Sequence, residues 1–158
     1  MKICLWFDKQ AEEAVKFYST VFDKTEIGTV LRYGKEGSEI HGMPDGTAMS
    51  LEFTINDMEF IGINGGPLFK FNEAVSIMVV CNDQQEIDTY WNKLTKEGQE
   101  LPCGWCKDKY GVVWQITPAV LHKMLSDTDQ EKVQKVTQAF MQMKKFDIAK
   151  LEQAFADN

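Results

Sequence analysis

The chain has 158 residues, of which 44% are hydrophobic and 26% are charged, and its formal net charge is −7 at pH 7. This composition is that of a folded globular protein, and the length suits one domain or two fused half-domains. The chain is acidic and has a single arginine, Arg32. It therefore lacks the clustered positive charge that phosphate groups attract, which argues against nucleic acid or an anionic membrane as a partner.

The N-terminal region predicts a cytoplasmic protein. The apolar run Met1–Phe7 is too short for the hydrophobic core of a signal peptide, and no small-residue cleavage site follows it. No later apolar run approaches the length of a membrane span. We therefore expect a cytoplasmic location, in which the four cysteines stay reduced.

The first part of the chain predicts a strand, a helix and three further strands. Apolar residues recur with the helical period of about 3.6 in the second of these segments and alternate in the strands. Asn56-Asp57 joins the last two strands as a two-residue hairpin turn. The predicted bounds are 1–7 for the first strand, 10–22 for the helix, 25–33, 48–55 and 58–64 for the other strands, and 34–46 for a glycine-rich loop.

The same order then begins again and ends in a helical tail. A strand is predicted at 73–81, a helix from the capping box at Asp83 to Gly98, and short strands up to Ile116. Three amphipathic helices follow in 118–158. We expect the first to begin with Thr117 as its cap and Pro118 at its first position, the second with a capping box at 128–131, and the third at Asp147.

The segment Cys103–Pro118, CGWCKDKYGVVWQITP, holds a turn and a strand. Asp108 can bond its own backbone, and Gly111 can take a positive φ. In the strand that follows, alternation places Trp114 on one face and Gln115 on the other. Gln115 is a lone amide among apolar neighbours and therefore needs a partner.

Four segments of the chain resemble a known family. They are CLWFDKQAEEAVKFY near the start, INGGP at 63–67, CGWCKDKYGVVWQITP, and KKFDIAKLEQAF in the tail. With the repeated order of elements, they resemble the vicinal oxygen chelate superfamily (glyoxalase I, bleomycin-resistance proteins, extradiol dioxygenases), and within it the PhnB-like branch often labelled 3-demethylubiquinone-9 3-methyltransferase. The resemblance implies an α+β fold of two βαβββ modules that form a cup-shaped mixed sheet, usually in a homodimer. Residues 1–66 would be the first module, 73–117 a second, shortened module, and 118–158 a helical extension of one compact fold.

The resemblance also shows where a metal ion would bind. The superfamily holds a divalent ion with His or Glu side chains, and the corresponding positions here fall at Ile3, with Cys4 beside it, at Ser76 and at Gln115. Neutral groups of this kind bind such ions poorly. We therefore expect no metal and no cofactor. The methyltransferase label lacks support too, because the cluster Gly62–Gly66 leads into Pro67 rather than into a helix.

Three other features are candidates for chemistry. Cys103 and Cys106 form a CxxC, but a strand-hairpin pattern surrounds them, whereas a thioredoxin-like pair lies at a helix N-terminus. His41 lies in the glycine-rich loop and could close over the cup as a lid residue. Glu52 lies on a strand face with Ser50 and Thr54, which is either a solvated outer face or the interior of the cup, where it could act as a general base.

Three functions remain open from the sequence. The leading one is a metal-free homodimer whose cup binds a small organic molecule. The second is a lyase, isomerase or transferase that uses Glu52 or His41 as its acid or base, and the third is a thiol-redox module that uses Cys103 and Cys106. The residues expected to bind the ligand are Trp6, Ser76, Trp105 and Gln115.

Overall fold

The chain divides into two compact units, Met1–Phe71 and Asn72–Asn158, and the computed structural model describes residues 1–156. Each unit contains one four-stranded sheet with the order of elements βαβββ. The α+β class and the two modules predicted from the sequence are therefore confirmed.

The first unit contains a mixed sheet of strand order β1-β4-β3-β2. Strands β1 and β4 run parallel, and the other pairs are antiparallel. The tight turn of Asn56 and Asp57, both at positive φ, joins β3 to β4 as predicted. The elements are β1 Ile3–Phe7, α1 Ala11–Val21, β2 Thr25–Arg32, α2 Ser38–His41, β3 Ala48–Ile55 and β4 Met58–Asn64.

Helix α1 packs on one face of this sheet. Its apolar face, including Val15 and Tyr18, is fully buried with Phe53 and Phe60 of the sheet. The buried Asn64 fixes the start of the helix, since its Oδ1 accepts a hydrogen bond from the Ala11 N–H at 2.9 Å. The helix has no side-chain cap of its own, and Asn64 therefore satisfies an N–H group that the helix leaves unpaired.

The second unit repeats this plan with shorter strands. Its sheet has the order β5-β8-β7-β6, and β5 runs parallel to β8. The capping box at the start of α3 is confirmed: Asp83 Oδ1 accepts from the Glu86 N–H at 2.8 Å, and Glu86 Oε2 accepts from the Asn82 N–H at 2.7 Å. The elements are β5 Ile77–Cys81, α3 Gln84–Thr95, β6 Gln99–Glu100, β7 Trp105–Lys107, β8 Val113–Pro118, α4 Ala119–Leu125, α5 Gln130–Met141 and α6 Ile148–Ala156.

Four predicted boundaries were wrong. Residues 73–76 precede β5, because Asn72 Oδ1 accepts from the Ala74 N–H and makes a turn there. Pro118 is the last residue of β8 and pairs with Cys81, so it lies outside α4. Asp129, rather than residue 128, caps α5. The predicted loop 34–46 contains the four-residue helix α2, which two glycines at positive φ enclose.

The C-terminal helices are fastened to the hairpin that contains the CGW motif. The N–H groups of Cys103 and Gly104 donate to the carbonyl oxygens of Met143 and Lys144, at 2.8 and 2.7 Å. The ring of Phe146, which is buried, lies so close to Gly104 that a Cβ there would come within 2.3 Å of it. Two of the four segments that carry the family resemblance therefore contact each other.

The tail is also tied to the start of helix α3. Gln84 Nε2 donates to the carbonyl oxygen of Phe146 at 3.0 Å, and Gln84 Oε1 accepts from the Ile148 N–H at 2.9 Å. Lys145 pairs with Asp88, and its hydrogen bond holds the pKa of Asp88 below the usual value. These contacts make the tail an integral part of the second unit.

We expect Gly104→Ala to destabilise the protein more than Gly46→Ala does. Both glycines have a positive φ, which strains an alanine by about 1–3 kcal/mol. At Gly104 the added methyl group would also meet Phe146 and the carbonyl oxygen of Ile116, whereas no described residue lies within 4 Å of a Cβ at Gly46. Urea unfolding of both variants measures the difference. Equal losses would show that Phe146 does not pack on Gly104.

Candidate functional site

Three candidate residues meet on one face of the second sheet. Gln115 of β8 pairs with Met78 of β5 and with Trp105 of β7, so these three side chains form a row across the sheet. Ser76 lies two residues before Met78, and Gln115 Nε2 donates a hydrogen bond to Ser76 Oγ at 2.7 Å. The lone amide thus has a partner, which is another of the predicted ligand-binding residues.

This face is the one that α3 does not cover. Trp114 and Ile116 are buried, as are Ile87 and Trp91 of α3. Alternation turns the intervening residues of the strands the other way. Met78 and Val80 are 53% and 58% exposed. We call the surface formed by Ser76, Met78, Val80, Trp105, Gln115 and Thr117 the open face.

Asp108 fixes the turn that leads into β8 and hence the position of Gln115. Its Oδ1 accepts hydrogen bonds from the N–H groups of Tyr110 and Val112, at 2.8 and 3.1 Å. Its Oδ2 accepts from the indole N–H of Trp114 at 2.9 Å. The turn was predicted correctly, but the third bond was not, because it depends on the side of the sheet on which the indole lies.

The charge at the edge of the open face is neutralised. Lys107 lies on β7 two residues after Trp105, and its ammonium group pairs with the carboxylate of Glu73. This hydrogen bond lowers the pKa of Glu73. A ligand on this face would therefore meet a paired lysine rather than an unpaired cation. The sequence gave no signal for this pair, since its members are 34 positions apart.

The residues at the superfamily's metal-ligand positions do not fit a divalent ion. Ile3 is apolar, and the hydroxyl of Ser76 and the amide of Gln115 bond to each other. Divalent ions need carboxylate, thiolate or imidazole donors that converge. Within residues 1–156, no group of three or more His, Cys, Asp or Glu side chains is arranged to hold a metal.

Glu52 lies beside a small cavity in the first unit. The cavity has a volume of about 150 Å³, and Lys2, Glu26 and Glu59 also line it. The ammonium group of Lys2 lies 2.7 Å from Glu52 Oε1 and 3.6 Å from Glu59 Oε1. These contacts, chiefly the hydrogen bond to Glu52, raise the pKa of Lys2. Sequence reasoning missed Lys2, which lies 50 positions from its partner.

His41 is held by contacts within its own loop. Its Nδ1 accepts a hydrogen bond from the Met43 N–H at 3.0 Å, and its Nε2 lies 3.3 Å from the carbonyl oxygen of Glu36. The ring packs on Tyr33, with centroids 4.4 Å apart. These contacts suit a neutral imidazole whose proton is on Nε2. Glu52 and His41 thus have separate sets of partners.

The CxxC cysteines differ in their surroundings. Cys106 is buried on β7, and burial raises the pKa of its thiol to about 12. Cys103 is half-buried at a positive φ of 58°. Both are free thiols. Because a thiolate is the nucleophile in disulfide exchange, Cys106 is poorly suited to redox chemistry.

Trp6 belongs to the first unit and is fixed in one orientation. Its indole N–H donates to the carbonyl oxygen of Gly66 at 2.9 Å. Its ring packs edge-on against Phe69, with centroids 5.1 Å apart. A Cβ at Gly65 would come within 2.1 Å of the Trp6 ring. The glycines of the INGGP segment therefore make room for this tryptophan.

Two βαβββ modules, one of which has a neutral open face, define a glyoxalase-like protein of the vicinal oxygen chelate fold. The model of the 3-demethylubiquinone-9 3-methyltransferase family matches residues 1–117. The chain belongs to this family, which is the PhnB-like branch. No curated protein matches the sequence. None of the helices in the described part of the chain is long and apolar enough to cross a membrane.

Solved structures agree with this assignment. A PhnB protein from Bacillus cereus, whose description carries the same methyltransferase label, is 37% identical, with 75% of this chain and 98% of that chain covered and a TM-score of 0.67. A Pseudomonas aeruginosa protein is 16% identical, with 75% and 97% covered and a TM-score of 0.59, and it shares the fold. A Staphylococcus aureus protein is 31% identical, with 72% and 91% covered and a TM-score of 0.32.

We expect the thiols of Cys81 and Cys106 to resist a disulfide reagent at pH 8 in the native protein. Burial raises the pKa of both to about 12, so both stay protonated well above neutral pH. Cys4 is exposed and should react fast. Titration with an aromatic disulfide measures the fast thiols: Cys106→Ala should leave their number unchanged, and Cys4→Ala should lower it by one. A fast reaction at Cys106 would contradict this burial.

Proposed function

We propose that the protein binds a small organic molecule on the open face of the second unit, without the divalent ion of its superfamily. The observation that carries this proposal is the 2.7 Å hydrogen bond between Gln115 and Ser76. It brings together two positions that would hold a metal ligand in a metal-dependent relative. Two neutral groups that satisfy each other do not attract a cation.

The surroundings of this pair support a mostly apolar ligand. Exposed Met78 and Val80 and the half-buried ring of Trp105 provide apolar surface beside a few polar groups. Small-molecule sites combine these two features, since apolar contact supplies most of the affinity and polar groups fix the orientation. The buried Trp114 and Ile116 support the face from behind.

The family's methyltransferase label finds little support in this chain. A nucleotide-type cofactor binds where free N–H groups of a glycine-rich turn precede a helix. Here the N–H groups of Gly65 and Gly66 donate to the carbonyl oxygens of Phe7 and Asp8. They serve the local fold around Trp6, and no reaction step is assigned to them.

A second candidate function is catalysis in the first unit. The cavity beside Glu52 favours it, because a carboxylate at a cavity can act as a general base. Lys2 engages one oxygen of this carboxylate, so a base role would need that ion pair to open. Glu52→Gln should then abolish a turnover found by substrate screening and leave the fold intact, and an unchanged rate would dismiss this candidate.

We expect the purified protein to contain no stoichiometric divalent ion after incubation with Zn²⁺, Mn²⁺ or Mg²⁺ and gel filtration. The neutral pair at Ser76 and Gln115 offers no anionic donor. Mass spectrometry of the metals measures the bound amount, and melting with and without a chelator should give the same temperature. About one ion per chain that raises the melting temperature would refute the metal-free proposal.

We also propose a cytoplasmic homodimer, and expect about twice the 18.1 kDa chain mass in sedimentation velocity at micromolar concentration. The support is the exposed apolar surface, which includes Ile27 and Leu31 on β2 as well as Met78 and Val80 on β5. Such patches commonly mark association surfaces. A single 18.1 kDa species at micromolar concentration would contradict the dimer.

A further inference from the structure

The four tryptophans differ in what their indole N–H groups contact. Trp6 donates to Gly66 O at 2.9 Å, Trp91 to Glu100 Oε1 at 3.1 Å, and Trp114 to Asp108 Oδ2 at 2.9 Å. The N–H of Trp105 finds no acceptor in residues 1–156. Trp105 is half-buried and lies on the open face. A partly desolvated donor without an acceptor is unfavourable, so an acceptor from outside the chain would stabilise it.

Ser76 adds a second donor to this face. Its Oγ accepts the hydrogen bond from Gln115 Nε2, so the direction of that bond leaves the hydroxyl hydrogen available. Within the described part of the chain, no acceptor for this hydrogen is found. Gln115 pairs with Trp105 across the β7–β8 ladder and bonds to Ser76 on its other side. One amide therefore separates two neutral donors.

Charge on the ligand is disfavoured at this place. The lysine at the edge of the face, Lys107, is already paired with Glu73. An anion would lose its hydration and gain no unpaired cation, and a cation would meet the donors Trp105 and Ser76. An uncharged acceptor avoids both costs.

We propose that the ligand of the open face is an uncharged, largely apolar molecule whose carbonyl oxygen accepts a hydrogen bond from the indole N–H of Trp105. Ser76 is the second donor for the polar end of the same molecule. This inference rests on the proposed function, because it assumes that the open face binds a small molecule. It adds the chemical class of that molecule and the residue that recognises it.

The test compares three probes that share a benzene ring and differ in one substituent. Acetophenone carries a carbonyl group, ethylbenzene replaces it with an apolar group of similar size, and benzoate replaces it with a charged one. Each is titrated into the ¹⁵N-labelled full chain, and the indole N–H signals are followed by NMR. Trp105→Phe assigns the Trp105 signal, and it keeps an aromatic ring but removes the donor.

We expect acetophenone to shift the Trp105 indole signal saturably, and ethylbenzene and benzoate to bind several-fold more weakly. Loss of one neutral hydrogen bond corresponds to a loss of affinity of about 3- to 10-fold. Trp105→Phe should show this loss for acetophenone and none for ethylbenzene. Trp91→Phe is the matched control, since the same change is made to a buried tryptophan that bonds to Glu100, and its affinity should stay unchanged.

The other outcomes separate the two proposals. If ethylbenzene or benzoate binds as well as acetophenone, or if Trp105→Phe loses nothing, the carbonyl inference fails and small-molecule binding stands. If no probe shifts any signal of the open face, small-molecule binding at this face fails as well. If the Trp105 indole is protected from exchange with water in the free protein and does not respond to acetophenone, another acceptor already occupies it, and the inference is overturned.

Discussion

The hydrogen bond between Gln115 and Ser76 determines what chemistry the open face can perform. Between neutral partners it contributes about 0.5–1.5 kcal/mol, far less than the bonds of a metal ion to charged ligands. Its value is that two polar groups on a partly apolar surface satisfy each other. The fold of a metal-dependent superfamily can thus be retained while its metal-ligand positions become a neutral surface.

Gln115 is held in place from several directions. The carboxylate of Asp108 fixes the turn before β8 and bonds to the indole of Trp114, the residue that precedes Gln115. The hairpin of β7 is fastened in turn by the tail, through Gly104 and Phe146. A buried carboxylate with three donors is costly to replace, because an amide offers a single acceptor oxygen. The orientation of the open face therefore depends on residues that do not lie on it.

Most of the architecture could be predicted from the sequence, because it depends on local periodicity. Alternation separated Trp114 from Gln115 correctly, and Asp83 and Asn56 marked a helix start and a hairpin turn. The errors occurred where one long-range contact outweighs a local preference, as where Pro118 pairs with Cys81 inside a parallel ladder. Alternation from Ser76 would also have placed Met78 and Val80 on the open face.

The details of the candidate site were less accessible. Gln115 and Ser76 are 39 positions apart, and only the β5–β8 register brings them together. The partners of Glu52 and Glu73 are lysines from distant segments. Which indole N–H lacks an acceptor follows from four separate environments. Composition and spacing carry no information about such contacts, so the sequence could propose these residues but could not assign their roles.

The contact between Phe146 and Gly104 has a consequence for how much of the chain forms a stable unit. The family model ends at residue 117, yet Phe146 and Leu151 beyond it are 3% and 0% exposed. A polypeptide cut at that boundary would leave the amides of residues 103 and 104 without acceptors and one side of the hairpin in water. The conserved-looking segment is therefore shorter than the piece that can fold, and relatives with different C-terminal ends must shield the same glycine in another way.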